Sequence, residues 1–164
     1  MYPLKNGDLA PDFTLQDVQN RDWSLREQLG KMVILVFGRG EYCPTGRAEF
    51  ARWSSYARLF PKLNCSPAFV VNGGREEHAH FAKQSRISLP ILVDEGGRIG
   101  ELYGVYGVNS KGPTYPGYEA PSCYLLDTER KVCCCWRLTG PRGLPSPECL
   151  LGILGYAEHN GWKY

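Results

Sequence analysis

The residues with nucleophilic chemistry to offer are seven cysteines, and one of them is placed unlike the rest. Cys43 lies in "GRGEYCPTGRAEF", residues 38–50, between an apolar strand-like run and a helix-like segment. Pro44, which follows it, suits the first position of a helix, so the thiol falls at or just before a helix N-terminus. Unpaired backbone N–H groups and the helix dipole favour a thiolate at such a place. Arg39 and Arg47, four residues to either side, add positive potential. The competing reading is a small buried residue, as free cysteines often are. A Cys-Pro pair at a strand-to-helix junction is an unusual place for inert packing, and the reactive reading is preferred. Gly46 stands where a CxxC motif would carry its second cysteine, so an oxidised Cys43 is expected to be intermolecular or sulfenic.

The other candidates are plainer. Cys133, Cys134 and Cys135 are consecutive, and adjacent side chains of a strand alternate faces, so the three cannot converge on one metal ion. Zinc sites also need ligand pairs at loop spacing. Cys65 and Cys149 read as core positions, beside a strand and in a helix. His78 and His80, two apart on a helix, point to different faces and read as solvated. Tyr106, Tyr115 and Tyr118 either shape a substrate groove or cover the sheet.

The elements that must hold Cys43 follow from pattern. Residues 13–25, "FTLQDVQNRDWSL", alternate around a polar turn and predict a hairpin. "KMVILVFG", residues 31–38, is an apolar run suited to a strand buried on both faces. Phe50, Trp53, Ala57 and Phe60 form one apolar face, which predicts a helix over 44–60. A second buried strand is predicted over 68–72, then a polar helix in "REEHAHFAKQS" with acidic residues in its first turn. "PILVD" is a short extended run and "GRIGELYG" a short helix ending at Gly104. Residues 105–120 read as one long loop, of a length that more often serves function than not. "SCYLLD" and "KVCCCWRL" predict two strands joined by a turn around Thr128–Arg130. A final helix starts with Ser146 as cap and Pro147 first. The order implies an α/β fold: a mixed central sheet, parallel at the front and antiparallel at the back, with helices on both faces.

Bulk properties narrow the setting. A chain of 164 residues is most simply one domain, residues 1–164, large enough to bury a core without disulfides. A formal charge of +2 is too mild to suggest nucleic acid, and no apolar run approaches the ~20 residues of a membrane helix. The N-terminus lacks the apolar core of a secretory signal, which predicts a cytoplasmic protein with reduced thiols.

The chain resembles the alkyl hydroperoxide reductase/thiol-specific antioxidant (AhpC/TSA) family, the peroxiredoxin-like proteins of the thioredoxin superfamily. "GDLAPDFTLQD" is similar to the family's opening, and "VILVFGRGEYCPTGRAEF" resembles its RG-x-W-C-P-x-C-R segment. "VVNGGREEHAHFAKQ", "LPILVDEGGRIGELYGVYG" and "PSCYLLDTERKV" continue the likeness in order, over about residues 7–140. The resemblance implies a thioredoxin-like fold with an N-terminal hairpin extension, and a thiolate at Cys43 that attacks a peroxide or a disulfide. It implies regeneration by an external thiol or thioredoxin-type reductant, needs no cofactor or metal, and admits a homodimer. It matches Pro121 to the family proline that packs against the active-site cysteine, cis in thioredoxin-like proteins. Cys123, two residues on, is then a candidate resolving thiol or a packed strand residue.

The chain also departs from the family. Gly40 replaces a threonine three residues before the cysteine, and the family's activating arginine falls at Pro121. The loop before "CPTG" is about three residues shorter than in two-cysteine members. The leading expectation is therefore a peroxiredoxin-like thiol oxidoreductase. A single-cysteine thiol–disulfide oxidoreductase and a redoxin-fold binding module are the alternatives.

Overall fold

Residues 3–40, 43–106, 121–137 and 144–161 are described by the computed structural model of the chain. Two short strands, β1 (Thr14–Gln16) and β2 (Asp22–Ser24), pair antiparallel as the N-terminal hairpin. The main sheet has five strands: β3 (Met32–Gly38), β4 (Cys65–Val71), β5 (Ile91–Val93), β6 (Ser122–Leu126) and β7 (Val132–Arg137). Their spatial order is β5-β4-β3-β6-β7. β3 runs parallel to β4 and antiparallel to β6, which completes the mixed sheet that the alternation of elements predicts.

β3 is apolar on both sides because both sides are covered. Ile34 and Val36 join a core with Phe50 and Trp53 of α1 (Pro44–Ser55), Phe81 of α2 (Arg75–Gln84), and Leu150 and Leu154 of α4 (Pro147–Asn160). Val33, Leu35 and Phe37 face a second core, with Phe13, Leu25 and residues Ile99 and Tyr103 in and beside α3 (Arg98–Leu102). Each fully buried large apolar side chain contributes ~1.5–3 kcal/mol relative to exposure, so these two layers fix β3 firmly.

Two boundaries and one register differ from the sequence reading. α1 stops at Ser55 and not at residue 60. The chain tightens instead into i→i+3 bonds, such as Tyr56 N–H to Trp53 O, and a 3-10 turn over Phe60–Leu63. Phe60 keeps its core place, stacked on Trp53 at 5.6 Å. β4 begins at Cys65, three residues earlier than expected, with Pro67 inside it. Pro67 is tolerated because β5 pairs only with Phe69–Val71, so the missing donor faces no partner strand there.

The third difference is in β7. A bulge opposite Leu125 and Leu126 leaves Cys133 without a register partner, while Cys134 pairs with Leu125 and Val132 with Leu126. Cys133 and Cys134 consequently pack toward the same core, and only Cys135 faces the other. Strict alternation fails, yet the three thiols still do not converge.

Ser146 caps α4 as expected, its hydroxyl accepting from the Cys149 N–H at 3.2 Å. Cys149 itself is exposed and is no core residue: the buried side of α4 is Pro147, Leu150, Leu154 and Ala157. The long loop is described only at Val105 and Tyr106; its remainder, with Tyr115 and Tyr118, lies outside the described residues.

Candidate active site

Cys43 is the residue that caps α1 at its N-terminus, with extended backbone (φ −127°, ψ 118°) and Pro44 at the first helical position. Its carbonyl already accepts the first helical bond, from Arg47 N–H at 2.8 Å. Its half-buried thiol makes no capping hydrogen bond and lies at the helix end where backbone N–H groups have no partner within the helix. β3 delivers the chain to this point at the carboxyl end of the parallel strands, where open α/β sheets bind their ligands. Pro121 is at the same end, since Ser122 pairs with Phe37 next to the last residue of β3. The peptide bond before Pro121 involves Ala120, which lies outside the described residues.

Two glycines shape the turn between β3 and α1. Gly40 has φ +54°, and a Cβ there would lie 2.6 Å from His78 Cε1 and 2.8 Å from Nδ1. Gly46, in the first turn of α1, is approached by the Gly40 carbonyl: a Cβ on it would be 3.0 Å from that oxygen and 3.4 Å from Cys43 Cβ. The position that a CxxC motif would fill is therefore directly beside Cys43.

The predicted supporting residues divide. Arg39 is half-buried immediately before Gly40. The Arg47 guanidinium sits over the Phe81 ring at 5.5 Å, a cation–π arrangement that ties α1 to α2. Cys123 is fully buried in β6 between Val36 and Trp136. Burial, with the Cys65 and Cys134 thiols nearby, pushes Cys123 well above the usual thiol range. A resolving role would require β6 to open, because the attacking species is the thiolate. Burial likewise pushes Cys65 and Cys133 up to about 12 and raises Cys134 and Cys135. Among the described residues, no group of three or more His, Cys, Asp or Glu side chains could hold a metal ion.

Sequence reasoning missed His78, which is fully buried and not solvated; His80 is exposed as expected. The signal was there: His78 precedes Phe81 by three residues, and the two are the buried residues of α2. The ring's Nε2 is 3.0 Å from the Asn72 carbonyl. A carbonyl only accepts, so Nε2 carries the proton. Asn72 in turn donates from Nδ2 to the Asp94 carbonyl at 2.9 Å, and the Asp94 carboxylate accepts from the N–H groups of Ile99 and Gly100. A buried polar row thus runs along the carboxyl ends of β4 and β5 beside the Cys43 turn.

Residues 6–133 match the AhpC/TSA family. The chain is 27% identical over 133 residues to a protein of Escherichia coli named peroxiredoxin Bcp, covering 80% of this chain and 85% of that one. It is 28% identical over 124 residues to the chloroplastic peroxiredoxin Q of Sedum lineare, covering 76% of this chain and 64% of that one. The crystal structure of the peroxidoxin BcpB from Mycobacterium tuberculosis superposes with a TM-score of 0.77 at 23% identity, covering 93% and 97% of the two chains.

Proposed function

We propose, from the premise that this chain belongs to the AhpC/TSA family, that it is a thiol-dependent peroxidase whose nucleophile is Cys43. The observation that carries this reading is the place of Cys43, a half-buried thiol at the N-terminus of α1 beyond the central strand. The Cys43 thiolate attacks one oxygen of the peroxide and the O–O bond breaks. That oxygen stays on sulfur as a sulfenic acid, and the other leaves as water or an alcohol after taking up a proton. Sulfur is oxidised by two electrons and the peroxide reduced by two. An external thiol then condenses with the sulfenic acid, releasing water and leaving a mixed disulfide. A second thiol attacks that disulfide and frees Cys43.

The regenerating partner is a small thiol or a thioredoxin-type protein, because the buried thiol of Cys123 is poorly placed to resolve Cys43. A reducing cytoplasm suits seven free cysteines. No helix among the described residues is long and apolar enough to cross a membrane. The reading is tested by following hydrogen peroxide loss in the presence of dithiothreitol. Wild type and Cys149→Ser should turn over alike while Cys43→Ser is inactive; turnover by Cys43→Ser would overturn the assignment.

A second reading, thiol–disulfide exchange at Cys43, is favoured by Pro121 at the position of the thioredoxin-like proline and by Gly40 in place of the family's threonine. Rapid capture of glutathione disulfide at Cys43 without peroxide turnover would establish that reading in place of the first.

A further inference from the structure

We propose that His78 is the positioning residue of Cys43: its imidazole is the fixed surface on which the Gly40 turn rests, and that turn sets the start of α1. The proposal rests on the reading of Cys43 as the nucleophile, and it concerns what holds the sulfur in place.

The contacts begin at the ring. His78 is fully buried, and its Nε2–H is anchored to the Asn72 carbonyl at 3.0 Å. Asn72 is itself held, through its side-chain amide, to the backbone at Asp94. The opposite edge of the ring, Cε1 and Nδ1, meets Gly40 so closely that a Cβ there would be 2.6 and 2.8 Å away. Real Cβ atoms do not approach other atoms so near, and φ +54° independently disfavours any residue but glycine. Val71 closes the same pocket, its Cγ1 lying 3.1 Å from that position.

From Gly40 the series passes through backbone. The Gly40 carbonyl comes within 3.0 Å of where a Gly46 Cβ would stand, and that point is 3.4 Å from Cys43 Cβ. Among the described residues, the Gly40 carbonyl beside Gly46 is the contact by which the position of the ring reaches the first turn of α1. An apolar residue could fill the same volume without the desolvation cost of an imidazole. The hydrogen bond to Asn72 supplies what an apolar residue would lack, a fixed ring orientation.

The test reads the rate of Cys43 alkylation by iodoacetamide at one fixed pH, located by peptide mass spectrometry, well below the melting temperature of each variant. This readout does not depend on peroxide being the substrate. Failure of peroxide turnover in wild type would overturn the function above and leave the His78 proposal still under test. His78→Phe keeps the volume and loses the anchor, and its Cys43 alkylation should slow about tenfold, the scale of losing good helix-terminus geometry. His78→Gln retains a donor for the Asn72 carbonyl and should recover most of the wild-type rate. A residue that merely fills the core would lower the melting temperature in both variants and leave the rate alone.

A double-mutant cycle gives a second route should His78→Phe fail to fold. Gly40→Ala should slow alkylation strongly in the wild-type background and much less beside His78→Ala, where the methyl group has room. Additive effects of Gly40→Ala and His78→Ala, or a wild-type rate in folded His78→Phe, would overturn the proposal.

Discussion

Replacing Gly46 by cysteine probes the start of α1 most finely. In the structure a Cβ at this position is 3.4 Å from Cys43 Cβ, at the short edge of the ~3.5–4.5 Å found across disulfides. The same Cβ lies 3.0 Å from the Gly40 carbonyl oxygen, which must yield by a few tenths of an ångström. That crowding costs on the order of 1–3 kcal/mol in the reduced variant. Removing a helical glycine returns up to about 0.5 kcal/mol, since cysteine is the slightly better helix former. Closing a loop of four residues lowers unfolded-chain entropy enough to stabilise the bridged form by about 2 kcal/mol. The oxidised variant should thus be about as stable as wild type, and about 2 kcal/mol more stable than its own reduced form. Non-reducing peptide maps should show a bridge from Cys43 to the introduced thiol, and denaturant melts with and without reductant should give the difference. In its reduced, dithiol form the variant should also gain reductase activity toward insulin, sustained by dithiothreitol, with wild type nearly inactive. An introduced thiol that stays fully alkylatable after oxidation would refute the placement of Cys43 and Gly46 on one turn.

Other consequences are simpler to read. Glu148 is held down to about 2, first by the Tyr56 hydroxyl donating to it at 2.7 Å. Its contribution to stability is accordingly present above its ordinary value near 4.5 and lost as pH falls toward 2. In Tyr56→Phe an NMR titration should find Glu148 moved back up, and an unchanged value would count against that hydrogen bond. Ser146→Ala removes the α4 cap and should cost about 1 kcal/mol in urea denaturation, whereas Ser146→Asp should cost little. Cys123→Ala should keep peroxide turnover with an external thiol at temperatures where it remains folded. A Cys43–Cys123 disulfide in peptide maps of peroxide-treated wild type would instead assign Cys123 the resolving role.

How legible the molecule was in its sequence depended on whether local pattern or tertiary context decided each feature. β3 was plain, because seven residues without a charge fit only a strand covered on both faces. The start of α1 was equally plain, since Cys43-Pro44 is a local capping signal. Its end was not: the spacing of Phe50, Trp53, Ala57 and Phe60 is helical throughout, yet beyond Ser55 the chain tightens and Phe60 reaches the core from a 3-10 turn. β4 extends back past Pro67, and the brevity of β5 is what makes a proline acceptable there. The shared face of Cys133 and Cys134 comes from a bulge in register with β6, which no property of "VCCCW" announces. His78 was legible in principle from its spacing to Phe81, but its purpose was not, because the Gly40 turn that it supports lies 38 residues earlier in the chain.

If the Cys43 sulfur is the nucleophile that takes an oxygen atom from peroxide, the sulfenic acid it forms can be mapped directly. The reduced protein is exposed to a stoichiometric amount of hydrogen peroxide in the presence of dimedone, digested, and searched for the adduct at each of the seven cysteines. An adduct is expected at Cys43, formed fastest and absent in Cys43→Ser. An adduct at exposed Cys149 or elsewhere, with the Cys43 thiol intact, would contradict it.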